Sequence, residues 1–116
     1  MIPTGVEVYV SVEPVNLHLS FDRLAGLVQE RMGRSARSAA VFVFFNRRRT
    51  MAKALFFDGT GLCIFYKRLD KGRRFQLPEP IEDGHGGEVV ELNERELDEL
   101  LDGWPSTAPA SKPSLH

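Results

Sequence analysis

Cysteine is almost absent from this chain: Cys63 is its only one. A lone cysteine forms no internal disulfide and cannot build a cysteine-rich zinc site, so stability must come from a hydrophobic core and a reducing cytoplasm is the expected setting. Long apolar runs are missing as well. Nothing approaches the ~18 consecutive apolar residues of a membrane helix, and the opening MIPTGVEVYV lacks the basic leader and apolar core of a signal peptide. No membrane partner is expected. Histidine is sparse, and His18, His85 and His116 are scattered without metal-ligand spacing. The glycines make no phosphate-cradling loop, because Gly59 and Gly61 serve a hairpin and open no helix. These absences exclude a disulfide scaffold and argue against a metalloenzyme or a P-loop enzyme; no cofactor or metal is expected.

Catalytic arrangements are equally thin. Cys63 alternates with Leu62 and Ile64 in a strand-like stretch, which suits a buried inert thiol better than a nucleophile. Asp58 and Asp70 could be imagined as a metal-binding pair, but both sit in turns where aspartate is favoured for backbone reasons. The reading is therefore a protein without enzymatic activity.

What the chain does have is a sharp division of charge. Its 116 residues suit one domain, with 42% apolar and 27% charged residues and a net charge of −1. A domain of this size buries about two-thirds of the surface of its unfolded chain, enough for a core. Residues 47–74 hold nine bases against Asp58 and Asp70, a surplus of +7; residues 79–102 hold ten acids against Arg95, a balance of −9. Such asymmetry informs about partners where the total does not.

Patterning gives the elements. Val6, Val8, Val10 and Val12 alternate with Glu7, Tyr9 and Ser11 as in a half-buried strand, which Pro14 stops. Ser20 is placed to cap a helix whose Phe21, Leu24, Leu27, Val28 and Met32 share one face, with Gly33 as its stop. Residues 33–38 read as a loop. Val41–Phe45 is continuously apolar, so it belongs mid-sheet with both faces covered. Ala52–Phe57 and Leu62–Leu69 are strands joined by the hairpin turn Asp58-Gly59-Thr60-Gly61. Asp70-Lys71-Gly72 turns into a shorter strand near Arg73–Leu77, ended by Pro78 and Pro80. Residues 82–87 read as a flexible loop and Glu88–Leu92 as an edge strand. Asn93 and Glu96 form a capping box for a second helix that buries Leu97, Leu100 and Leu101 before Gly103. Residues 1–104 thus make one α+β domain, an antiparallel β-meander of about five strands packed against one or two α-helices, followed by a disordered tail at 105–116.

In a meander, alternate turns lie at the same end of the sheet. The basic turn after Phe45 and the one after Leu69 are therefore expected to converge, with the DGTG turn at the far end. Arg47, Arg48, Arg49, Lys53, Lys67, Arg68, Lys71, Arg73 and Arg74 would then form one basic surface. Cations at that density suit a phosphate backbone, since each one placed on a phosphate releases counterions. Tyr66 could stack on a base if its ring points outward. Other readings stand beside this one: a solvated charged end with Tyr66 in the core, a site for an acidic protein surface, or the ten acids of 79–102 pairing with the basic end of a second copy or folding over their own.

The run VFVFFNRRRTMAKALFFDGTGLCIFYKRLDKGRRFQLP resembles the accessory protein often called TnpB, the small second-frame product of bacterial insertion sequences that encode three proteins. SFDRLAGLVQE and VVELNERELDELLDGW are similar to that family in the same order, so the resemblance spans about residues 6–104. Its most specific pieces are FNRRR, the aromatic–DG–x–G hairpin and FYKRL-x-KGRF. Before the first helix, members commonly carry a basic stretch of the form DMRKGFDGLA; here VNLHLSFDRLA places Asn16 and His18 where charges are usual. A much larger RNA-guided nuclease shares the family's name, but this short chain has no acidic triad to match it. The resemblance implies a non-catalytic helper in DNA transposition, acting beside a separate transposase that performs the strand chemistry. It carries over no catalytic residue. The matching cations are Arg47, Arg48, Arg49, Lys67, Arg68, Lys71 and Arg73. Charge and topology make duplex DNA, bound with weak sequence preference, or the transposase itself the expected partner. The alternative is a module that bridges transposase subunits without touching DNA.

Overall fold

The N-terminal strand is buried on both of its faces, not one: its alternating valines cover one face and Tyr9 the other. In the computed structural model, which describes residues 5–77, 89–102 and 104–105, β1 spans Glu7–Ser11. Val8 and Val10 point into one core cluster and Tyr9 into the other. The Tyr9 ring stacks on Phe42 with centroids 5.9 Å apart, and the Arg34 guanidinium lies over the ring, 4.0 Å from its centroid. Burial, followed by the hydrogen bond to Glu7, pushes the Tyr9 hydroxyl up to about 12.

The chain continues through α1 (Phe21–Leu27) into a π-helical turn, Val28–Met32, and stops at Gly33 with φ 64°. Leu24, Val28 and Met32, spaced by four, are the buried stripe, whereas Phe21 is exposed. Ser20 occupies the position before the helix, but its hydroxyl makes no capping bond; its carbonyl accepts from Leu24 N at 2.9 Å. Strand β2 (Ala40–Phe45) is buried at all six positions, as its unbroken apolar run requires. Strands β3 (Met51–Phe57) and β4 (Leu62–Arg68) follow as a hairpin. A two-residue strand β5 (Arg73–Arg74), shorter than the apolar pattern suggests, pairs with β7 (Trp104–Pro105). Between them lie the edge strand β6 (Val89–Leu92) and α2 (Glu94–Asp102). The capping box at its start is complete: Asn93 N donates to Glu96 Oε1 at 2.9 Å, and Glu96 N to Asn93 Oδ1 at 2.8 Å. The expected loop at 82–87, the strand-ending prolines 78 and 80, Gly103 and residues 106–116 of the expected tail lie outside the described residues, while Pro105, expected to begin that tail, pairs with Arg73 in β7.

The main sheet has the order β4-β3-β2-β1-β6. The α+β class holds, but the sheet is mixed where a purely antiparallel meander was expected. Strands β1 and β2 pair in parallel, with Val8 beside Val41. The reason is the intervening helix: a chain that crosses over through a helix before pairing with its neighbour re-enters in the same direction. Strands β2, β3 and β4 do form the antiparallel meander.

Two clusters sandwich this sheet. Val41, Val43, Phe45, Ala54 and Phe56 join Leu97, Leu100 and Leu101 of α2 on one face. Phe42, Phe44 and Leu55 join Leu24, Val28 and Met32 on the other. The helices therefore pack on opposite faces, and β2 is central to both layers. Each fully buried Phe or Leu contributes about 1.5–3 kcal/mol, which fixes the register of β2 firmly.

Candidate nucleic-acid interface at the basic sheet end

The turn between β2 and β3 is organised by one side chain. Asn46 Oδ1 accepts from Thr50 N at 2.9 Å and Met51 N at 3.0 Å, while its amide donates to Thr50 Oγ1 at 3.0 Å. Arg49 N reaches back to Asn46 O at 3.1 Å. This closed ring of bonds projects Arg47, Arg48 and Arg49 into solvent. Arg49 adopts φ 61°, a left-handed conformation that glycine takes easily and arginine rarely does.

The second basic turn docks directly on the first. Leu69 N donates to Thr50 O at 2.9 Å, and Phe75 N donates to Arg49 O at 2.7 Å. Below them the Phe75 ring is buried against Phe45, centroids 5.2 Å apart. Gly72 with φ 86° and the bond from Arg73 N to Asp70 O, 3.1 Å, complete the tight turn at 70–73. The convergence expected from the meander is thus a matter of backbone hydrogen bonds.

The nine cations do not all face outward. Arg47, Arg48, Arg49, Arg68, Lys71 and Arg74 are exposed. Neither ion pair between described residues, Arg31–Glu13 or Arg95–Glu99, involves any of these six. The remaining three are half-buried and turned toward backbone carbonyls. Lys53 Nζ donates to Leu19 O at 2.9 Å. Lys67 Nζ donates to Leu101 O at 2.8 Å, and Arg73 Nη2 lies 3.4 Å from Asp102 O. Lys67 and Arg73 thereby supply positive charge where the C-terminal end of α2 leaves its carbonyls unpaired. The acidic helix meets the basic end through these carbonyls, and its Glu96, Asp98, Glu99 and Asp102 stay exposed.

Tyr66 is on the surface, 54% exposed, where one reading placed it in the core. It stands opposite Lys53 on the α1 face, two residues from Arg68 and therefore on the same side of β4. Its hydroxyl lies 3.2 Å from Met51 Sδ, and Lys53 Nζ sits 4.9 Å from its ring centroid. Beside it opens a groove of about 310 Å³, walled by residues 14–18 and by Asn46, Arg47, Met51 and Tyr66. Its wall is held by Val15 N donating to Phe45 O at 2.8 Å and by His18 N donating to Asn16 Oδ1 at 2.9 Å. The altered stretch Asn16-Leu17-His18 thus adjoins the first basic turn. Periodicity gave no hint of this neighbourhood, nor of the anchoring role of Asn46, although asparagine before a basic triplet is a turn-former by type.

At the opposite end, Asp58 Oδ1 accepts from Thr60 N at 2.8 Å, Thr60 Oγ1 at 2.9 Å and Gly61 N at 3.0 Å. The backbone N–H of Thr60, then its hydroxyl, then the Gly61 N–H hold this carboxyl down to about 2. Cys63 is half-buried, and burial followed by the nearby Asp58 charge raises its thiol above the ordinary range, away from the nucleophilic thiolate. Among the described residues no group of three or more His, Cys, Asp and Glu is arranged to hold a metal ion, and no helix is long and apolar enough to cross a membrane.

Comparison with known proteins agrees with this chain's motifs. Two proteins of Sinorhizobium fredii are similar to it along most of their lengths. One, described as uncharacterized protein y4hO, is 33% identical over 105 residues, covering 89% of this chain and 86% of the relative. The other, uncharacterized protein y4jC, is 26% identical over 109 residues, covering 94% and 88%. No solved structure matches at a significant level. The family model for IS66 Orf2-like proteins matches residues 6–111, nearly the whole chain, and this protein therefore belongs to that family of insertion-sequence accessory proteins.

Proposed function

We propose that this protein is a non-catalytic accessory factor for transposition that acts in the bacterial cytoplasm beside its element's transposase and holds duplex DNA by its backbone. The observation that carries this reading is the joined basic end: two turns tied by backbone hydrogen bonds present six exposed cations, none ion-paired to a carboxylate among the described residues. Such a surface suits phosphates, which position a protein without specifying sequence. The conformation of Arg49 supports it further. A residue held at positive φ costs of order 1–3 kcal/mol, and its persistence there points to a use for the side chain.

The test is fluorescence anisotropy on a short duplex at several salt concentrations. Log affinity is expected to fall with log salt by about 0.9 for each phosphate neutralised. Absence of binding at low salt, or binding indifferent to salt, would overturn the reading.

A second reading, a direct protein bridge to the transposase, is favoured by a different feature. Strand β4 is an edge of the main sheet, and Phe65 on it is 37% exposed beside Cys63 and Phe56. An apolar edge strand is a ready template for another chain. Co-purification with the cognate transposase in the presence of nuclease separates the two: a complex that survives rests on protein contact, and one that dissolves rests on DNA.

A further inference from the structure

Tyr66 has no structural duty that accounts for its exposure. Its neighbours hold it in one pose: the hydroxyl rests on Met51 Sδ at 3.2 Å and the Lys53 ammonium stands 4.9 Å from the ring centroid, leaving more than half of the side chain in solvent. Lys53 is itself fixed by its 2.9 Å bond to Leu19 O, so the support under the ring is not a floating charge. Arg68 flanks Tyr66 on the same side of β4, and Arg47 shares the adjoining groove with His18. An exposed, braced aromatic ring between cations is the combination that binds unpaired nucleotides, the ring stacking on a base while the cations take the phosphates. Duplex DNA offers no base face to such a ring, because its bases are stacked on one another. A groove of about 310 Å³ beside the ring has the size of a small-molecule site and room for an extruded base.

We infer that the Tyr66 groove is a site for an unpaired nucleotide, so that the protein prefers DNA with a frayed or overhanging end to the fully paired duplex. This deepens the nucleic-acid reading of the basic end and rests on it. The probes are three short duplexes of one sequence: blunt, with an unpaired overhang, and with an overhang of the same length made of abasic nucleotides. The abasic overhang carries the same phosphates but nothing to stack, which separates the ring from the charge. The expected result is that the base-bearing overhang binds about fivefold or more tighter than the abasic one, the least that one stacked base confers. Tyr66→Phe should keep that difference, while Tyr66→Leu, which retains apolar bulk on the strand, should abolish it. A thermal melt of each variant confirms folding, which the exposure of the side chain should preserve. Equal binding of the base-bearing and abasic overhangs, with salt-sensitive duplex binding intact, would overturn this inference and leave the basic-end reading standing. A base preference that Tyr66→Leu retains would place the site elsewhere and overturn it too. Failure of all three duplexes to bind at low salt would remove both.

Discussion

The two ends of the β2–β3–β4 meander both carry charged turns, and they treat their charge in opposite ways. At the DGTG end the Asp58 carboxylate is answered on the spot by three donors from Thr60 and Gly61. That charge builds the turn and is of little use to a partner. At the other end, carbonyls of Leu19, just before α1, and of the α2 terminus receive three cations of the nine, and six more stand in solvent without carboxylate partners among the described residues. A count of charges does not locate a binding surface. Whether the local structure has already answered those charges does.

The most damaging change should be the one that unhooks the second basic turn from the first. Phe75 is 1% exposed, packs on Phe45 and donates its N–H to Arg49 O. Phe75→Ala should cost about 3–5 kcal/mol in denaturant unfolding and weaken DNA binding with it. If stability falls but binding is unchanged, the two turns do not act as one surface.

Next in size is the pairing of one arginine from each turn. Arg48→Ala and Arg74→Ala should each lower the salt slope of duplex binding by about one, and the double variant by about two, with melting hardly changed. Arg73 is the wrong probe for this purpose, since it reaches toward the α2 terminus at Asp102 O. An effect from one turn alone would break the comparison.

The far end is sharpened by pH. Asp58 is held below its ordinary value of 3.8, at about 2 in the fold. Its contribution is therefore fully present above pH 3.8 and is lost as pH falls through about 2. Asp58→Asn should melt at a lower temperature at neutral pH, and the gap to the parent should close across that window without any change in DNA binding at neutral pH. A gap independent of pH would mean that the negative charge is not what the turn uses.

Smaller still is Arg49→Gly. Relief of φ 61° should raise stability by less than about 1 kcal/mol or leave it unchanged, while duplex affinity falls. Arg37→Ala is the control: Arg37 is exposed in the loop before β2, at the opposite end from the basic turns, and should alter neither property beyond about 0.5 kcal/mol. Arg31 would not serve, because it bonds Ser11 Oγ at 2.9 Å and Glu13 O at 3.1 Å and so ties the helix to the end of β1.

Legibility followed the range of the interactions. The unbroken apolar run of β2, the DGTG turn, the Asn93–Glu96 capping box and the Gly33 stop are set by neighbours a few residues apart, and all were readable. The convergence of the basic turns was readable as well, because an antiparallel meander leaves no other geometry. Ser20 failed as a side-chain cap even though its residue type suits the role.

The amino-acid sequence by itself determined both helices and the strands of the main sheet, where the turns fall and that one meander end would be basic, because periodicity and turn chemistry are local. The tertiary structure alone decided that β1 runs parallel to β2, that the helices cover opposite faces, and that Tyr66 faces solvent beside residues 14–18. It also decided which cations are available. Lys53, Lys67 and Arg73 look like their neighbours in sequence, but each meets a carbonyl supplied by a segment about thirty residues away. An unpaired carbonyl near a half-buried lysine or arginine is a stronger draw than water, and only the packed chain brings the two together.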